Sequence, residues 1–168
     1  MNLVDSFNLD HTKVVAPYVR KAKLTQYRSN SVPVTKWDIR ITQPNKEFLT
    51  PVQMHSTEHL FAEIVRRVLG TKKVIDFSPM GCRTGFYLTV YGDYPVDQIF
   101  GIVFTVFTKI LCWHDDMIGD SEKECGNYKE LSVAAAKEVA EMFLQGVIDK
   151  GFYTENIEDI FNSEENEE

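Results

Sequence analysis

The chain has 168 residues, of which 43% are hydrophobic and 26% are charged, and such values are typical of one globular domain. The net charge of −7 comes from the C-terminal end, since residues 1–154 carry equal numbers of acidic and basic residues and residues 155–168 add seven acidic ones. We therefore expect one domain over 1–154 and an acidic tail over 155–168, and no basic patch indicates nucleic-acid binding.

The sequence gives no indication of export or of a membrane span. Residues 1–6 lack the basic start and the long apolar run of a signal peptide. The most apolar window, residues 99–113, is too short and too polar to cross a membrane. The three cysteines (Cys82, Cys112 and Cys125) are too few for a disulfide scaffold. We therefore expect a cytoplasmic protein with reduced thiols that are available for metal binding or catalysis.

Two strands are predicted near the N-terminus. Residues 18–27 have a strand pattern that lysines and arginines interrupt, whereas residues 32–42 alternate clearly. In the second strand Trp37 and Ile39 share one face, and Arg40 lies on the polar face.

A helix over residues 51–69 is predicted from the signals at its two ends. Thr50 is a suitable N-cap, Pro51 takes the first helical position, and Gln53 completes a capping box. Gly70 is a suitable terminator.

The remaining elements alternate less regularly. Residues 73–77 and 85–91 are predicted as strands, and residues 96–112 and 130–149 as helices. Because no regular βαβ alternation is present, we predict an α+β fold, an antiparallel β-sheet with helices packed on one face.

The first of these helices carries the pattern His-x-x-Glu-His at His55, Glu58 and His59. Residues four apart share a helix face, so the two imidazoles can bind one metal ion while the carboxylate transfers a proton. His59 points about 150° away from the centre of the apolar stripe, at 100° per residue. That stripe consists of Phe61, Ile64, Val65 and Val68. The histidines are therefore expected to face a cleft rather than the core.

Two histidines form an incomplete site, because catalytic zinc-like ions usually take three protein ligands. Besides several acids, the candidates for the third ligand are Cys125, Cys82, Cys112, His114 and His11. Cys125 precedes a glycine in a polar loop, from which a thiolate can reach the ion. Cys112 ends an apolar run and is predicted to be buried, and His114 is predicted to be solvated.

Cys82 lies in a loop bounded by glycine and proline, residues 78–85, directly before Arg83. The charge of Arg83 and a nearby metal ion would both favour the thiolate, which can act as a base or a nucleophile. The alternative is an inert loop cysteine.

Several blocks of sequence together resemble the S-ribosylhomocysteine lyase (LuxS) family. They are residues 6–11, 15–20, 38–40, 43–46, the His-x-x-Glu-His helix, 76–85 and 122–128. Their joint order is far more specific than any single motif, although the last helix and the tail match none. The resemblance implies a catalytic domain that releases homocysteine and 4,5-dihydroxy-2,3-pentanedione, the precursor of autoinducer-2. By the same resemblance, the product would be a quorum-sensing signal, or the reaction would only recycle waste of the activated methyl cycle.

The resemblance also implies the ligands and the partners. His55, His59 and Cys125 would bind one Fe(II) per subunit, which zinc or cobalt can replace. The protein would be a homodimer with active sites at the subunit interface. The substrate pocket would be lined by Ser6, His11, Arg40 and Asp76, in part from the neighbouring subunit.

The chemistry assigns the two remaining residues. A thioether leaves only when a carbonyl lies two carbons away, so the ribose carbonyl must first migrate along the chain. Cys82 as a thiolate would move protons during this migration, and Glu58 would assist it and the final β-elimination. A metal ion would polarise the carbonyls, and no organic cofactor is needed.

Two other functions remain open on the motif alone. One is a metallopeptidase in which Glu58 activates water, since His-x-x-Glu-His is also an inverted zinc-peptidase signature. This function leaves Cys82 without a role. The other is a non-catalytic metal-binding or signalling domain.

Overall fold

The computed structural model describes residues 9–150 of the chain. These residues contain four strands and three α-helices. The strands are β1 (Tyr18–Thr25), β2 (Val34–Arg40), β3 (Val74–Pro79) and β4 (Gly85–Tyr91). The helices are α1 (Pro51–Leu69), α2 (Val96–Leu111) and α3 (Val133–Lys150), and a short 3-10 helix (Tyr128–Glu130) precedes α3. The predicted α+β fold is confirmed. Ser6 and the acidic tail over 155–168 lie outside the described residues.

The sheet is antiparallel throughout and has the strand order β1-β2-β4-β3. In its centre Trp37 of β2 faces Leu88 of β4, and Ile39 faces Phe86. All four side chains are fully buried. They lie on the face against which the helices pack, as the alternation in β2 predicts.

Aromatic rings join this sheet face to the helices. Phe61 of α1 stacks on Phe77 of β3 with 4.0 Å between the ring centroids, and Phe77 stacks on Phe86 at 5.0 Å. Phe107 of α2 and Phe143 of α3 continue the cluster, 4.6 Å apart. Burial of each ring stabilises the fold by about 1.5–3 kcal/mol. These contacts hold one side of α1 against the core.

The ends of α1 agree with the prediction. The Gln53 backbone N–H donates to the Thr50 hydroxyl at 3.2 Å, and the Thr50 N–H donates to the Gln53 side chain at 2.9 Å. At the other end Gly70 has a φ of 108°, and its N–H donates to the carbonyl of Arg66. Both ends of the helix are therefore fixed by local bonds.

Cys112 is exposed, so its predicted burial is wrong. It follows the last residue of α2, whose buried residues include Val106, Phe107 and Ile110. At 100° per residue, position 112 points about 160° away from the centre of the buried face. The apolar run ends at this cysteine, but its side chain faces solvent.

None of the helices within residues 9–150 has the combined length and apolar composition that a membrane span requires.

Candidate active site

Three predicted ligands meet in one place. His55 and His59 lie on α1, and Cys125 comes from the connection that joins α2 to the 3-10 helix. One ligand atom from each residue lies within 4.8 Å of the other two, and Cys125 Sγ is 3.3 Å from His55 Nε2. We call these three residues the metal trio. They are half-buried at the flank of α1, which agrees with the predicted cleft.

The connection after α2 fixes the orientation of His59. Its Nδ1 lies 2.8 Å from the carbonyl oxygen of Ile118, which can only accept, so Nδ1 carries the proton. The lone pair of Nε2 is then available to a metal ion. Gly119 follows with a φ of 69°, and a Cβ atom there would lie 3.0 Å from His59 Nδ1. Only a residue without a side chain fits beside this ring.

The backbone around Cys125 orients its sulfur. The Cys125 N–H donates to the carbonyl of Ser121 at 3.0 Å, which closes a turn before the ligand. The N–H of Asn127 points back at Cys125 Sγ at 3.4 Å. These two bonds hold the sulfur in place, and the thiolate is the form of cysteine that binds a metal ion.

The donor set of the metal trio fits a metal ion. Two imidazoles and one thiolate suit zinc, cobalt or iron(II). Three protein ligands leave a fourth position for water or substrate, as in catalytic sites. A closed structural site would need a fourth protein ligand, and the other candidates do not join the trio within residues 9–150. Among them, His114 is exposed, as predicted.

Glu58 precedes His59 on α1 and is half-buried. No hydrogen bond or ion pair to another residue of the 9–150 range occupies its carboxylate. The group can therefore take up or release a proton beside the metal trio.

Cys82 belongs to a second cluster, which we call the thiol network. Its Sγ lies 3.1 Å from the hydroxyl of Thr84, and Arg40 Nη1 donates to that hydroxyl at 2.7 Å. Arg40 also donates twice to Asp38, from Nη2 at 2.7 Å and from Nε at 3.2 Å. The thiol is exposed, whereas Thr84, Arg40 and Asp38 are at most 2% exposed. A buried ion pair thus supports a surface thiol.

The carboxylate of Asp38 is the single negative charge described in this network, and two arginines pair with it. Burial alone lowers the pKa of Arg40, but the hydrogen bonds and the charge of Asp38 outweigh burial and raise the pKa above its ordinary value. Tyr18 donates to Asp38 at 3.3 Å, and Arg20 pairs with the same carboxylate. Burial and the charge of Asp38 raise the pKa of Tyr18, so this phenol stays neutral. Arg40 is held cationic and Asp38 has four donors around it.

The remaining predicted pocket residues are dispersed in the described chain. His11 is half-buried, and its Nδ1 bonds the carbonyl of Leu9 at 2.8 Å. Asp76 is exposed on β3 opposite Thr89. Ser6 lies outside the described residues. Within 9–150, no hydrogen bond or ion pair joins the thiol network to the metal trio.

The sequence interpretation missed several supporting residues. The alternation in β2 places Asp38 on the same face as Arg40. This shared face could have indicated their pairing. Thr84 lies two residues after Cys82, but only the pairing of β4 with β2 brings it to Arg40. Ile118 and Gly119 carried no sequence signal, because their role depends on the path of the loop.

The family model described as S-Ribosylhomocysteinase (LuxS) matches residues 4–153. A protein of Clostridium perfringens (strain SM101) named S-ribosylhomocysteine lyase is 43% identical over 152 residues, which cover 90% of this chain and 98% of the relative. A protein of the same name from Clostridioides difficile is 45% identical over 90% of this chain and 95% of the relative. A third protein of this name, from Deinococcus radiodurans, is 43% identical over 88% of this chain and 89% of the relative.

Proposed function

Because the chain belongs to the S-ribosylhomocysteinase (LuxS) family, we propose that it is an S-ribosylhomocysteine lyase. This carbon–sulfur lyase would convert S-ribosylhomocysteine to homocysteine and 4,5-dihydroxy-2,3-pentanedione. The observation that carries the proposal is the metal trio, with Glu58 directly before His59 on α1, in a chain whose relatives bear this name. If the protein were a metallopeptidase, the hydrogen bonds that link Cys82 through Thr84 to Arg40 would have no function.

The metal trio would hold one ion, for which we propose Fe(II), with zinc or cobalt as substitutes. Such an ion supplies Lewis acidity that polarises a substrate carbonyl. The chain contributes the orientation of the ligands, because Ile118 fixes the tautomer of His59 and the N–H of Asn127 bonds the sulfur of Cys125.

Cys82 would be the base that moves the carbonyl along the ribose. As a thiolate it removes a proton from the carbon next to the carbonyl. It then delivers a proton to the former carbonyl carbon. The carbonyl thereby shifts by one carbon at each round. Its exposure lets substrate approach, and the buried Arg40 beneath Thr84 supplies positive charge near the sulfur.

Glu58 would be the second acid–base group. It would accept and return the hydroxyl protons during the shifts and then remove the proton whose loss expels homocysteine. Its position next to His59, with a carboxylate that bonds no described residue, suits a group that must exchange protons.

The substrate pocket would be completed by a second copy of the chain. We propose a cytoplasmic homodimer in which Ser6, His11 and Asp76 line the pocket, partly across the interface, whereas Arg40, also predicted to line it, acts from its buried position behind Thr84. This arrangement is compatible with the absence, within residues 9–150 of one chain, of a hydrogen bond or ion pair between the thiol network and the metal trio. Sedimentation of the metal-loaded protein tests it, and a monomer at micromolar concentration would contradict it.

The activity is tested by anaerobic loading with Fe(II) or Co(II), addition of S-ribosylhomocysteine and titration of the released thiol. We expect Cys82→Ala to retain the metal and lose at least about a hundredfold in turnover, since general-base catalysis contributes roughly 10²–10⁴-fold. Cys125→Ala should lose the metal. Cys112→Ala, at an exposed thiol outside both clusters, should change neither. Absence of thiol release by the unmodified loaded protein would refute the proposal.

A further inference from the structure

We propose that the hydroxyl of Thr84 is a positioning group that donates its proton to Cys82 and thereby favours the thiolate. The inference rests on the proposed function only in its consequence for turnover. The donation itself follows from the arrangement of hydrogen bonds in the thiol network.

Arg40 fixes the direction of the first bond, and the thiolate state of Cys82 fixes that of the second, because a thiolate has no proton to donate. A guanidinium has only donors, so the contact of 2.7 Å between Arg40 Nη1 and Thr84 Oγ1 makes the hydroxyl oxygen the acceptor. The hydroxyl then has a single proton to donate. Among the described residues, the only other hydrogen-bond partner of this hydroxyl is Cys82 Sγ, at 3.1 Å.

Because Thr84 is buried, a hydroxyl proton without a partner would cost free energy. The residue is only 2% exposed, so water does not readily replace a missing partner for the hydroxyl proton. A thiolate accepts this proton through a charge-assisted bond, whereas a neutral thiol is a weak acceptor. The bond is therefore stronger in the deprotonated state. Thr84 transmits the polarisation of the buried guanidinium to the surface thiol.

The backbone holds Thr84 in place from two sides. Its carbonyl accepts the N–H groups of Ile41 and Thr42 at 2.9 and 3.1 Å, which join it to the chain after β2. Gly85 permits this close approach, because a Cβ there would lie 2.3 Å from the carbonyl oxygen of Ile39. The hydroxyl is thus presented to Arg40 and Cys82 by a rigid junction of two strands.

Other charged and titratable groups belong to the same network. Arg40 and Asp38 contribute from β2, and Tyr18 donates to Asp38 from β1. Tyr87 contributes from β4, and burial together with the charge of Asp38 raises its pKa, so that it remains neutral. Arg83 adjoins Cys82 in the chain but directs its guanidinium over the ring of Phe48. These groups are unchanged in variants at Thr84, which isolates the hydroxyl.

The test measures the pH dependence of iodoacetamide alkylation at Cys82 in the metal-loaded full chain, read by peptide mass spectrometry. The thiolate displaces iodide, so the rate follows the deprotonated fraction. For Thr84→Val we expect the midpoint to rise by about one pH unit and the rate at neutral pH to fall about tenfold. Thr84→Ser keeps the hydroxyl and should stay within about twofold of the parent.

Two controls separate this role from a structural one. Thr89→Val makes the same change on β4 outside the network and should leave the alkylation profile unchanged. Thr84→Ala removes the hydroxyl without adding a methyl group beside Arg40, and it should reproduce the upward shift if the valine variant folds poorly. An unchanged midpoint in a folded, metal-loaded variant without the hydroxyl would overturn the proposal.

Turnover gives an independent measurement. If the protein acts on S-ribosylhomocysteine, Thr84→Val should lower kcat most at low pH and recover as pH rises, because alkali restores the thiolate. A purely structural loss would be independent of pH, and such a result would contradict the proposed role. Alkylation needs no substrate, so failure of the lyase assay leaves the test of Thr84 intact.

Discussion

The imidazole of His59 owes its orientation to the backbone of a loop that lies 59 residues further along the chain. The carbonyl of Ile118 accepts the Nδ1 proton, and Gly119 leaves room for the ring. Outer partners of this kind commonly alter metal affinity about 10–100-fold when they are lost. The strength of His59 as a metal ligand would therefore depend on residues outside the metal trio.

Gly119→Ala should weaken metal binding by about tenfold or more. The new methyl group would approach His59 Nδ1 to 3.0 Å, and the φ of 69° is strained for any residue with a Cβ. Competition with a chromophoric chelator measures the change. Gly126→Ala is the matched control in the same loop, since a Cβ there meets nothing within 4 Å. Equal affinities for the two variants would contradict this role of Gly119.

Single residues were predictable where a regular element determines their direction. His55 and His59 follow from the helical period alone, whereas the choice of Cys125 among several thiols rested on the family resemblance. The burial of Cys112 was predicted wrongly because composition was used without the phase of the helix. Gly119 was not identified, since the need for a positive φ arises only once the loop is folded.

Among the elements, α1 and α3 show what local sequence can determine. The boundaries of α1 agree with the prediction because Thr50, Gln53 and Gly70 form their capping bonds within the helix itself. α3 begins at Val133 rather than at residue 130. Its start depends on Ser132, whose N–H donates to the buried hydroxyl of Ser56 on α1 at 2.9 Å. A contact over 76 positions cannot be read from the local pattern.

Thr50→Ala should lower the free energy of unfolding by about 1 kcal/mol, because the Gln53 N–H loses its capping acceptor. Thr50→Ser retains the hydroxyl and should cost only a few tenths. The midpoint of urea unfolding, at an unchanged slope, provides the comparison. Identical midpoints for the alanine and serine variants would show that the cap does not stabilise α1.

For the molecule as a whole, the order of elements predicted the fold class but not the arrangement of the strands. The alternation in β2 correctly indicated the buried apolar face, but the polar face with Asp38 and Arg40 is buried as well, so the prediction of a strand buried on one face only was wrong. The insertion of β4 between β2 and β3 is a long-range pairing that no local pattern specifies. This insertion brings Thr84 to Arg40, so the thiol network could not be predicted before the topology was known.

Stability should fall as pH rises above about 10, the ordinary tyrosine pKa. Burial and Asp38 raise the pKa of Tyr18, so the folded chain keeps a proton that the unfolded chain loses. Below that pH the two states are equally protonated at this residue, and the contribution is constant. Tyr18→Phe should therefore reduce the alkaline loss of stability, which urea midpoints at pH 9 and pH 10.5 can measure.

Tyr27→Phe is the control for this prediction, because Tyr27 is 89% exposed. It should leave the alkaline dependence as in the parent protein. A residual dependence in Tyr18→Phe is expected from Tyr87, whose pKa burial also raises. If Tyr18→Phe and Tyr27→Phe showed the same dependence, the contribution assigned to Tyr18 would be refuted.

The ligands His55 and Cys125 are 70 positions apart, so an ion held between them would act as a reversible cross-link. At a hundredfold excess over its dissociation constant, such an ion would stabilise the folded state by about 2.7 kcal/mol. Its loss would free a connection that carries Lys123, an exposed cleavage site for trypsin-like proteases. The metal-free chain would then be cleaved at this connection more readily than the metal-loaded chain.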